Sequence, residues 1–370
     1  MQNPVNINPL ILKWAREESG LTISDILPEL KISSNTYNDW EKSGQNVPFK
    51  SLRSIAKLYK RQIACFFLVE IPKKKKRPKD FRNLKVFSGK LSPTTLLAIR
   101  RTHRYSEILL ELNGKEYYER KTSWAKEFFE KFGSSDSIGD MEIISWIRNK
   151  INISLEDQMK YANQSQALKA WRNAIEDNLG ISVFQFGMPV EEVQGFSIFE
   201  GNPYSIVINS KHSPTARIFT IFHELGHLLK KQSGLCFHDR IEKNQKIEFE
   251  CNDFAGKLLI PTEALVYADS SEEIYRLSRK LKVSSEAFLR RLKSAGMIDN
   301  DLFFNLLDDI RQKVKIPSKS FGIATPVQKS INSRGNHLFS TVTDAAYNSR
   351  ISFSQASDIL GVKVNHLMSY

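Results

Sequence analysis

The sequence predicts a mostly helical α+β protein with one small sheet. Apolar residues recur at helical spacing along most of the 370 residues, whereas alternation of the strand type is confined to a stretch near the middle. Glycine and proline punctuate that stretch, as they do between strands. With 41% hydrophobic and 26% charged residues, the chain is expected to form about two or three globular domains rather than a disordered polypeptide.

Changes of pattern divide the chain into five predicted segments. A helical domain is expected first and a helical tail last, and a basic Pro/Lys linker follows the first domain. In chain order the segments are the helical domain 1–70, the linker 71–91, a helical region 92–179, a core with the small sheet 180–315, and the tail 316–370.

Short amphipathic helices are predicted throughout the first domain. Thr22 is placed to cap the second helix and Ser33 or Ser34 to cap the third, which ends near Gly44. A tight turn is expected between the second and third helices. Consecutive short helices joined by such a turn are typical of helix-turn-helix architecture.

The core segment predicts three strands followed by two long helices. Ser213 and Pro214 suit the cap and the first turn of the first long helix, which is expected to run to residue 231. The second is predicted over 246–259, and Pro261 ends it. The alternating stretches that predict the strands cover residues 181–187, 196–199 and 204–209.

The first long helix carries the sequence His223-Glu224-Leu225-Gly226-His227. Two histidines four residues apart lie on one face of a helix, where both imidazoles can reach one Zn²⁺. Glu224 lies beside that face, so its carboxylate can act as a general base toward water at the metal. The alternative is a pair of core histidines that cap neighbouring carbonyl groups.

A catalytic zinc ion takes three protein ligands and keeps one position open, so a further ligand is expected on the second long helix. Glu248 and Asn252 share a face of that helix, which favours Glu248 as the ligand and Asn252 as the hydrogen-bond partner of a ligand histidine. Glu250 is expected to face solvent, but an error in helix phase would exchange it with Glu248. The remaining candidates are Cys236, His238 and Cys251.

Several further residues near the motif carry weaker expectations. Gly226 costs about 1 kcal/mol inside a helix relative to alanine, which indicates the close approach of a strand or of substrate. Cys251 is more typical of a buried small hydrophobe than of a ligand. Arg217 is expected to pair with a carboxylate or a helix-end carbonyl. The candidate oxyanion donors are Tyr204 and His238.

The net charge of +13 favours a nucleic-acid or acidic-protein partner, but the excess is concentrated in the linker. Residues 1–79 hold 15 Lys and Arg against 7 Asp and Glu, and six of these basic residues lie in the run 73–79. That run is expected to be a solvated spacer, with phosphate contact as the alternative. Three widely spaced cysteines, with no signal-peptide or membrane-helix pattern, predict a cytoplasmic protein without a membrane partner.

Three stretches of the core resemble the ImmA/IrrE family of zinc metallopeptidases. They are RIFTIFHELGH at 217–227, the Glu-x-x-Cys-Asn-x-Phe-Ala block at 248–255 and LLIP at 258–261. The resemblance implies that 180–315 is a gluzincin-like metallopeptidase core, with the motif histidines and a glutamate of the next helix as zinc ligands and the motif glutamate as general base. It also implies a protein substrate, an XRE-type repressor or antitoxin encoded nearby, in stress response or mobile-element control.

The first domain resembles an XRE-type helix-turn-helix domain, at Leu21-Thr22 and Trp40-Glu41 among other positions. It departs from that pattern at Leu27-Pro28 and at Lys31, which stands in place of the turn glycine. The third helix offers no Arg or Lys at the positions expected to contact DNA or a partner. Those positions are Ser34, Asn35, Thr36 and Asn38.

Two interpretations of the first domain therefore stay open. It binds DNA in a sequence-specific manner, or it docks a cognate XRE-type repressor and presents it to the protease. A different class of function is the alternative for the whole chain: a DNA-binding transcription regulator or antitoxin in which the metal site is structural or vestigial.

Overall fold

The computed structural model describes two compact units. The first unit contains the described residues up to His103 and the segment Gly187–Glu192. The second unit contains the described residues of Arg104–Phe186 and all described residues from Val193 onward. The predicted mostly helical α+β fold, with a small sheet and a helical C-terminal part, is confirmed. The five-segment division stays a prediction, and most of its linker (73–90) lies outside the described residues. The described residues are 4–72, 91–133, 137–199, 203–230, 234–237, 245–313 and 324–369.

Short helices and a two-stranded ribbon make up the first unit. The helices within residues 4–72 are α1 (Pro9–Glu17), α2 (Ile23–Leu30), α3 (Ser34–Ser43) and α4 (Phe49–Leu58). The ribbon pairs β1 (Pro4–Val5) with β2 (Val47–Pro48) in antiparallel orientation. A 3-10 turn over Ile63–Phe67 follows α4, and α5 (Pro93–Asn113) begins in this unit and continues in the second.

Polar caps set the boundaries of α2 and α3. Thr22 accepts from the backbone N–H of Asp25, whose carboxylate in turn accepts from the backbone N–H of Thr22. Ser33 is the residue that caps α3, and Gly44 ends α3 with φ 67°. Lys31 occupies the same left-handed region, with φ 56°, in the turn between α2 and α3. This turn therefore keeps its geometry with a residue that carries a Cβ atom.

The second unit surrounds a four-stranded sheet with helices. The strands are β3 (Ser182–Phe186), β4 (Val193–Ile198), β5 (Ser205–Asn209) and β6 (Gly234–Phe237), in the order β3-β5-β4-β6. β3 is parallel to β5, whereas β4 is antiparallel to both β5 and β6. Alternation in the sequence predicted the first three strands but not β6.

Between α5 and the first strand of the sheet, the described chain forms five helices: α6 (Lys115–Lys121), α7 (Ser123–Phe132), α8 (Met141–Ile151), α9 (Leu155–Lys160) and α10 (Gln164–Leu179). Two long helices then follow the strands, α11 (Pro214–Leu229) and α12 (Gln245–Leu259). The helices that follow are α13 (Ser271–Lys280), α14 (Ser285–Ser294), α15 (Asn300–Lys313), α16 (Pro326–Arg334), α17 (Asn336–Tyr347), α18 (Phe353–Leu360) and α19 (Val364–Met368).

Helix α11 lies in the core of the second unit. Ser213 caps it through the backbone N–H of Ala216, and Pro214 occupies its first turn, as the sequence predicted. The helix is buried from Thr220 to its end, and Phe222 packs edge-on against Trp171 of α10 at a centroid distance of 4.9 Å. A helix buried on all sides has no freedom to rotate, so its side chains are held in fixed directions.

The C-terminal helices pack against the same sheet and the helix beside it. The Ser333 hydroxyl of α16 donates to the carbonyl of Gln185 on β3, and the Gln185 side chain donates to the carbonyl of Asn332. The Glu176 carboxylate of α10 accepts from two backbone N–H groups in the first turn of α17. Gly335 precedes that turn with φ 87°, and a Cβ atom there would collide with Glu176.

Candidate metal centre

The two motif histidines lie together on the buried face of α11. His223 is 4% exposed and His227 is 5% exposed. Their Nε2 atoms are 3.1 Å apart. This geometry is the consequence of the four-residue spacing on a helix that cannot turn away from the core.

Helix α12 adds a carboxylate to the two imidazoles. The Glu248 oxygens lie 3.2 Å from Nε2 of His223 and 3.4 Å from Nε2 of His227. Two ligands that bind zinc tetrahedrally at about 2.0–2.1 Å lie about 3.3–3.4 Å from each other. The three donor atoms therefore fit around one such ion, and they form the group of potential metal ligands found among the described residues.

Charge also suits this site to a cation. Burial by itself raises the pKa of Glu248, but hydrogen bonds and positive charge from His223 and His227 hold that pKa well below its usual range. The carboxylate is therefore ionised at neutral pH. A metal ion held between these groups would be bound by neutral imidazoles and an ionised carboxylate, the forms in which these side chains act as metal ligands.

Asn252 lies one turn after Glu248 and contacts the first histidine. Its side-chain oxygen is 2.9 Å from Nδ1 of His223. An oxygen at that position accepts from Nδ1–H and leaves the Nε2 lone pair directed at the other two donors. The structure thus brings together the four residues that the sequence analysis assigned to metal binding: His223, His227, Glu248 and Asn252.

Gly226 allows α12 to approach α11 closely. A Cβ atom at Gly226 would lie 3.1 Å from the sulfur of Cys251 and 3.2 Å from its Cα atom. The expectation of a strand or a substrate beside this glycine was therefore wrong, because the neighbour is the helix that supplies Glu248. Cys251 is fully buried, as predicted. Burial raises the pKa of its thiol, which hydrogen-bonds to His227.

Glu224 is fully buried, and its carboxylate lies next to a second glycine, Gly195. A Cβ atom at Gly195 of β4 would lie 2.5 Å from the Thr220 methyl group, 2.7 Å from the carbonyl of Val207 and 3.4 Å from a carboxylate oxygen of Glu224. Gly195 is a functional position that the sequence analysis missed. Its position inside a strand was the available signal, because such a glycine marks a close approach.

Two expectations about charged neighbours were wrong. Glu250 does not face solvent: its side chain is 12% exposed and forms an ion pair with Lys230, just beyond the end of α11. Because α12 packs along α11, a side chain turned away from the metal site still meets the neighbouring helix. Arg217 donates to the side-chain oxygen of Gln185 at 2.6 Å, rather than to a carboxylate or a helix-end carbonyl.

Of the remaining candidates, Tyr204 and the four residues of α3 lie within the described part of the chain. Tyr204 is half-buried and stacks on Phe199 at a centroid distance of 5.4 Å. His238 and the side chain of Cys236 lie outside the described residues. In the first unit, three of the candidate contact residues on α3 are exposed and Asn38 is half-buried, with its amide donating to Ser34. The three exposed residues are Ser34, Asn35 and Thr36.

A buried glutamate beside a His-His-Glu donor set on two packed helices defines a centre of the metallopeptidase class. Residues 176–293 match the Peptidase_M78 family, described as an IrrE N-terminal-like domain. This match confirms, for residues 176–293, the resemblance to the ImmA/IrrE family seen in the motifs. The match covers the sheet and helices up to α14, and the helix-turn-helix assignment of the first domain stays a prediction.

No curated protein matches the chain. Among the helices that the structure describes, none is long and apolar enough to cross a membrane.

Proposed function

We propose that this protein is a cytoplasmic zinc-dependent endopeptidase that cleaves a regulatory protein. The observation that carries the proposal is the close approach of three side chains, His223, His227 and Glu248. Their nitrogens and carboxylate oxygens lie 3.1 to 3.4 Å apart, and the carboxylate of Glu224 is buried in the same helix. Two imidazole nitrogens and one carboxylate oxygen are a donor set that zinc accepts in catalytic sites. The described His, Cys, Asp and Glu side chains offer no fourth ligand to this group, which suits catalysis rather than a structural site.

His223, His227 and Glu248 would hold the ion. When bound, zinc supplies a Lewis acid that polarises a peptide carbonyl and lowers the pKa of water toward about 7. Asn252 keeps the His223 ring in one orientation and one tautomer. Thus each residue of the site has a task that its contacts already support.

Glu224 is the proton carrier in this proposal. Its carboxylate takes a proton from the attacking water and then gives it to the amide nitrogen that leaves. Burial among α11, β4 and β5 keeps the carboxylate in one place, because Thr220 and the backbone of Val207 limit the space around Gly195. A glutamine at this position would fill the same volume but could not accept the proton.

The proposed substrate is an XRE-type repressor or antitoxin encoded nearby, in stress response or mobile-element control. The family resemblance supports this substrate class. An XRE-like first domain supports it too, because such a domain suits either the shared operator DNA or the repressor itself. Sequence-specific DNA binding through Ser34, Asn35, Thr36 and Asn38 stays the alternative role of α3.

The test compares wild-type protein with Glu224→Gln, each co-expressed with the repressor encoded beside its gene. We expect cleavage fragments, identified by mass spectrometry, with wild type only, whereas zinc content by elemental analysis is the same in both. Glu250→Gln is the matched control, since it neutralises a neighbouring carboxylate that is paired with Lys230, and it should retain cleavage. If Glu224→Gln leaves the regulatory effect unchanged, the protein acts by binding and its metal site is structural or vestigial.

A further inference from the structure

Helix α4 of the first unit presents a row of cations to solvent. Its apolar residues Leu52 and Ile55 are fully buried in the core of that unit. Lys50, Arg53 and Lys57, at spacings of three and four, are all exposed. Such spacings place side chains on one face of a helix, so the row is a consequence of the burial of the opposite face.

This row lines a groove with a volume of about 600 Å³. Arg61, which follows α4, adds a fourth cation, and none of the lining residues is acidic. Ile63, which is half-buried, contributes apolar surface. The full lining is Lys50, Arg53, Ser54, Ala56, Lys57, Arg61, Gln62 and Ile63.

The three cations of α4 are not neutralised by acidic neighbours among the described residues. Within the part of the chain that the structure describes, no acidic side chain forms an ion pair with Lys50, Arg53 or Lys57. The Arg61 guanidinium lies 4.5 Å from the centre of the Trp14 ring, and its buried Nε atom has no hydrogen-bond acceptor among the described residues. Glu18 is an acid whose charge acts on Arg61. A concave site with several unpaired cations attracts an anionic partner.

We propose that this groove docks an acidic polypeptide segment. Carboxylates of the segment pair with Lys50, Arg53 and Lys57, while its apolar side chains cover Ile63. The proposal rests on the proposed function in one respect: the segment belongs to the protein that is cleaved. The groove is then a docking site for substrate that is separate in the fold from the metal-binding residues of α11 and α12.

Several features favour a polypeptide over a nucleic acid. The lining contains no aromatic ring, whereas proteins that bind single strands stack bases on aromatic side chains. The floor is partly apolar, which matches side chains better than a phosphodiester backbone. Finally, the cations lie on α4, not at the candidate contact positions of α3.

The experiment measures binding by the full chain carrying Glu224→Gln, so that no cleavage is needed. The probes are a fluorescein-labelled peptide of glutamates and leucines, a peptide with lysines in place of the glutamates, and a labelled DNA duplex of unrelated sequence. The groove variant is Arg53→Glu/Lys57→Glu. The matched control is Lys31→Glu/Lys42→Glu, which makes the same charge change at exposed positions of this unit that do not line the groove.

We expect the acidic peptide to bind, the basic peptide not to bind, and the groove variant to weaken binding by about tenfold or more while the control stays within about twofold. Binding of the duplex alone would overturn the proposal in favour of a nucleic acid, and equal weakening by both variants would reduce it to a general charge effect.

In the cleavage assay, the groove variant in the active background should raise KM and leave kcat unchanged. Peptide binding without an effect on KM would refute the substrate role, and this outcome is distinct from a wild type that does not cleave.

Discussion

At the scale of single residues, each metal-binding side chain is held by a second contact. The side-chain oxygen of Asn252 contacts Nδ1 of His223, and the Cys251 thiol hydrogen-bonds to His227. Glu248 is held between the two imidazoles themselves. Because all three donors already lie at zinc-binding separations, the site needs little rearrangement to accept an ion.

The ligand assignment makes a direct prediction. Glu248→Ala removes one of three donors, so we expect zinc affinity to fall by more than about 100-fold, beyond the effect of losing an outer hydrogen-bond partner. Elemental analysis after dialysis against a competing chelator measures the loss. Glu250→Ala is the comparison variant, and it should keep its zinc; the reverse result would mean that the phase of α12 is wrong.

The sequence predicted these residues because helix periodicity links spacing to direction. His223, His227 and Glu248 follow from i, i+4 geometry and from the ligand number of zinc. The surroundings of Glu250 and Arg217 could not be predicted in the same way. Glu250 pairs with Lys230, just beyond α11, and Arg217 donates to Gln185 of β3. Both contacts depend on which element packs alongside, and local residue spacing does not determine packing partners.

At the scale of elements, the site depends on how closely α11 and α12 approach each other. Gly226 faces both the sulfur and the backbone of Cys251, so the two helices are in contact at this point. Gly256 of α12 is the contrasting case, because a Cβ atom there would meet nothing within 4 Å. Substitution of either glycine by alanine changes helix propensity, but only substitution of Gly226 also affects the distance between the two helices.

Gly226→Ala is expected to destabilise the protein and to weaken zinc binding. Alanine gains about 1 kcal/mol of helix propensity, but overpacking against backbone costs about 1–3 kcal/mol and displaces Glu248. Gly256→Ala should instead stabilise the fold by up to about 1 kcal/mol and leave zinc affinity unchanged. Urea unfolding and zinc titration measure both effects. Equal stabilisation by the two substitutions would show that α11 and α12 are not in close contact.

Helix starts were predictable from the sequence, whereas strand β6 was not. The caps Thr22, Ser33 and Ser213 marked helix starts because a side-chain oxygen satisfies free N–H groups. Strand β6 has only four residues, Gly-Leu-Cys-Phe, which is too short for alternation to distinguish it from a loop. Its pairing with β4 depends on the tertiary fold and not on the local sequence.

At the scale of the whole molecule, the C-terminal helices are part of the second unit and not a detached tail. Arg172 donates to the carbonyls of Asn332 and Val183, while Glu176 accepts from the first turn of α17. His337 lies in that turn, with its Nε2 atom 2.9 Å from the Tyr118 hydroxyl. These buried polar contacts fix α16 and α17 on α10 and β3.

This packing predicts a pH dependence of stability. Burial, with a smaller contribution from the charge of Lys121, lowers the pKa of His337 from 6.5 to about 4. The unfolded chain keeps the ordinary pKa, so it binds more protons than the folded protein between these values. Stability should therefore fall as pH decreases from 6.5 toward 4, by at most about 3 kcal/mol from this residue.

Urea unfolding at several pH values tests this prediction. His337→Gln should flatten the fall in stability below pH 6.5, because its side chain does not titrate. His366→Gln replaces an exposed histidine and should leave the slope as it is in wild type. A slope that is identical in all three proteins would show that folding does not lower the pKa of His337.

The sequence predicted a helical C-terminal part, but not where its helices pack. A polar network formed by residues more than a hundred positions apart, such as Glu176 and His337, has no signature in local sequence. The groove on α4 was missed for a related reason: a net charge summed over the first domain hides the clustering of Lys50, Arg53 and Lys57 on one face.

The central claim is that two packed helices supply three ligands to one zinc ion and leave a position open to solvent. A crystal structure of the zinc-loaded protein with anomalous data at the zinc edge tests it most directly. We predict one ion bound to Nε2 of His223, Nε2 of His227 and the carboxylate of Glu248 at about 2.0–2.2 Å, with solvent as the remaining ligand. A fourth protein side chain on the ion, or an ion bound without Glu248, would contradict the account.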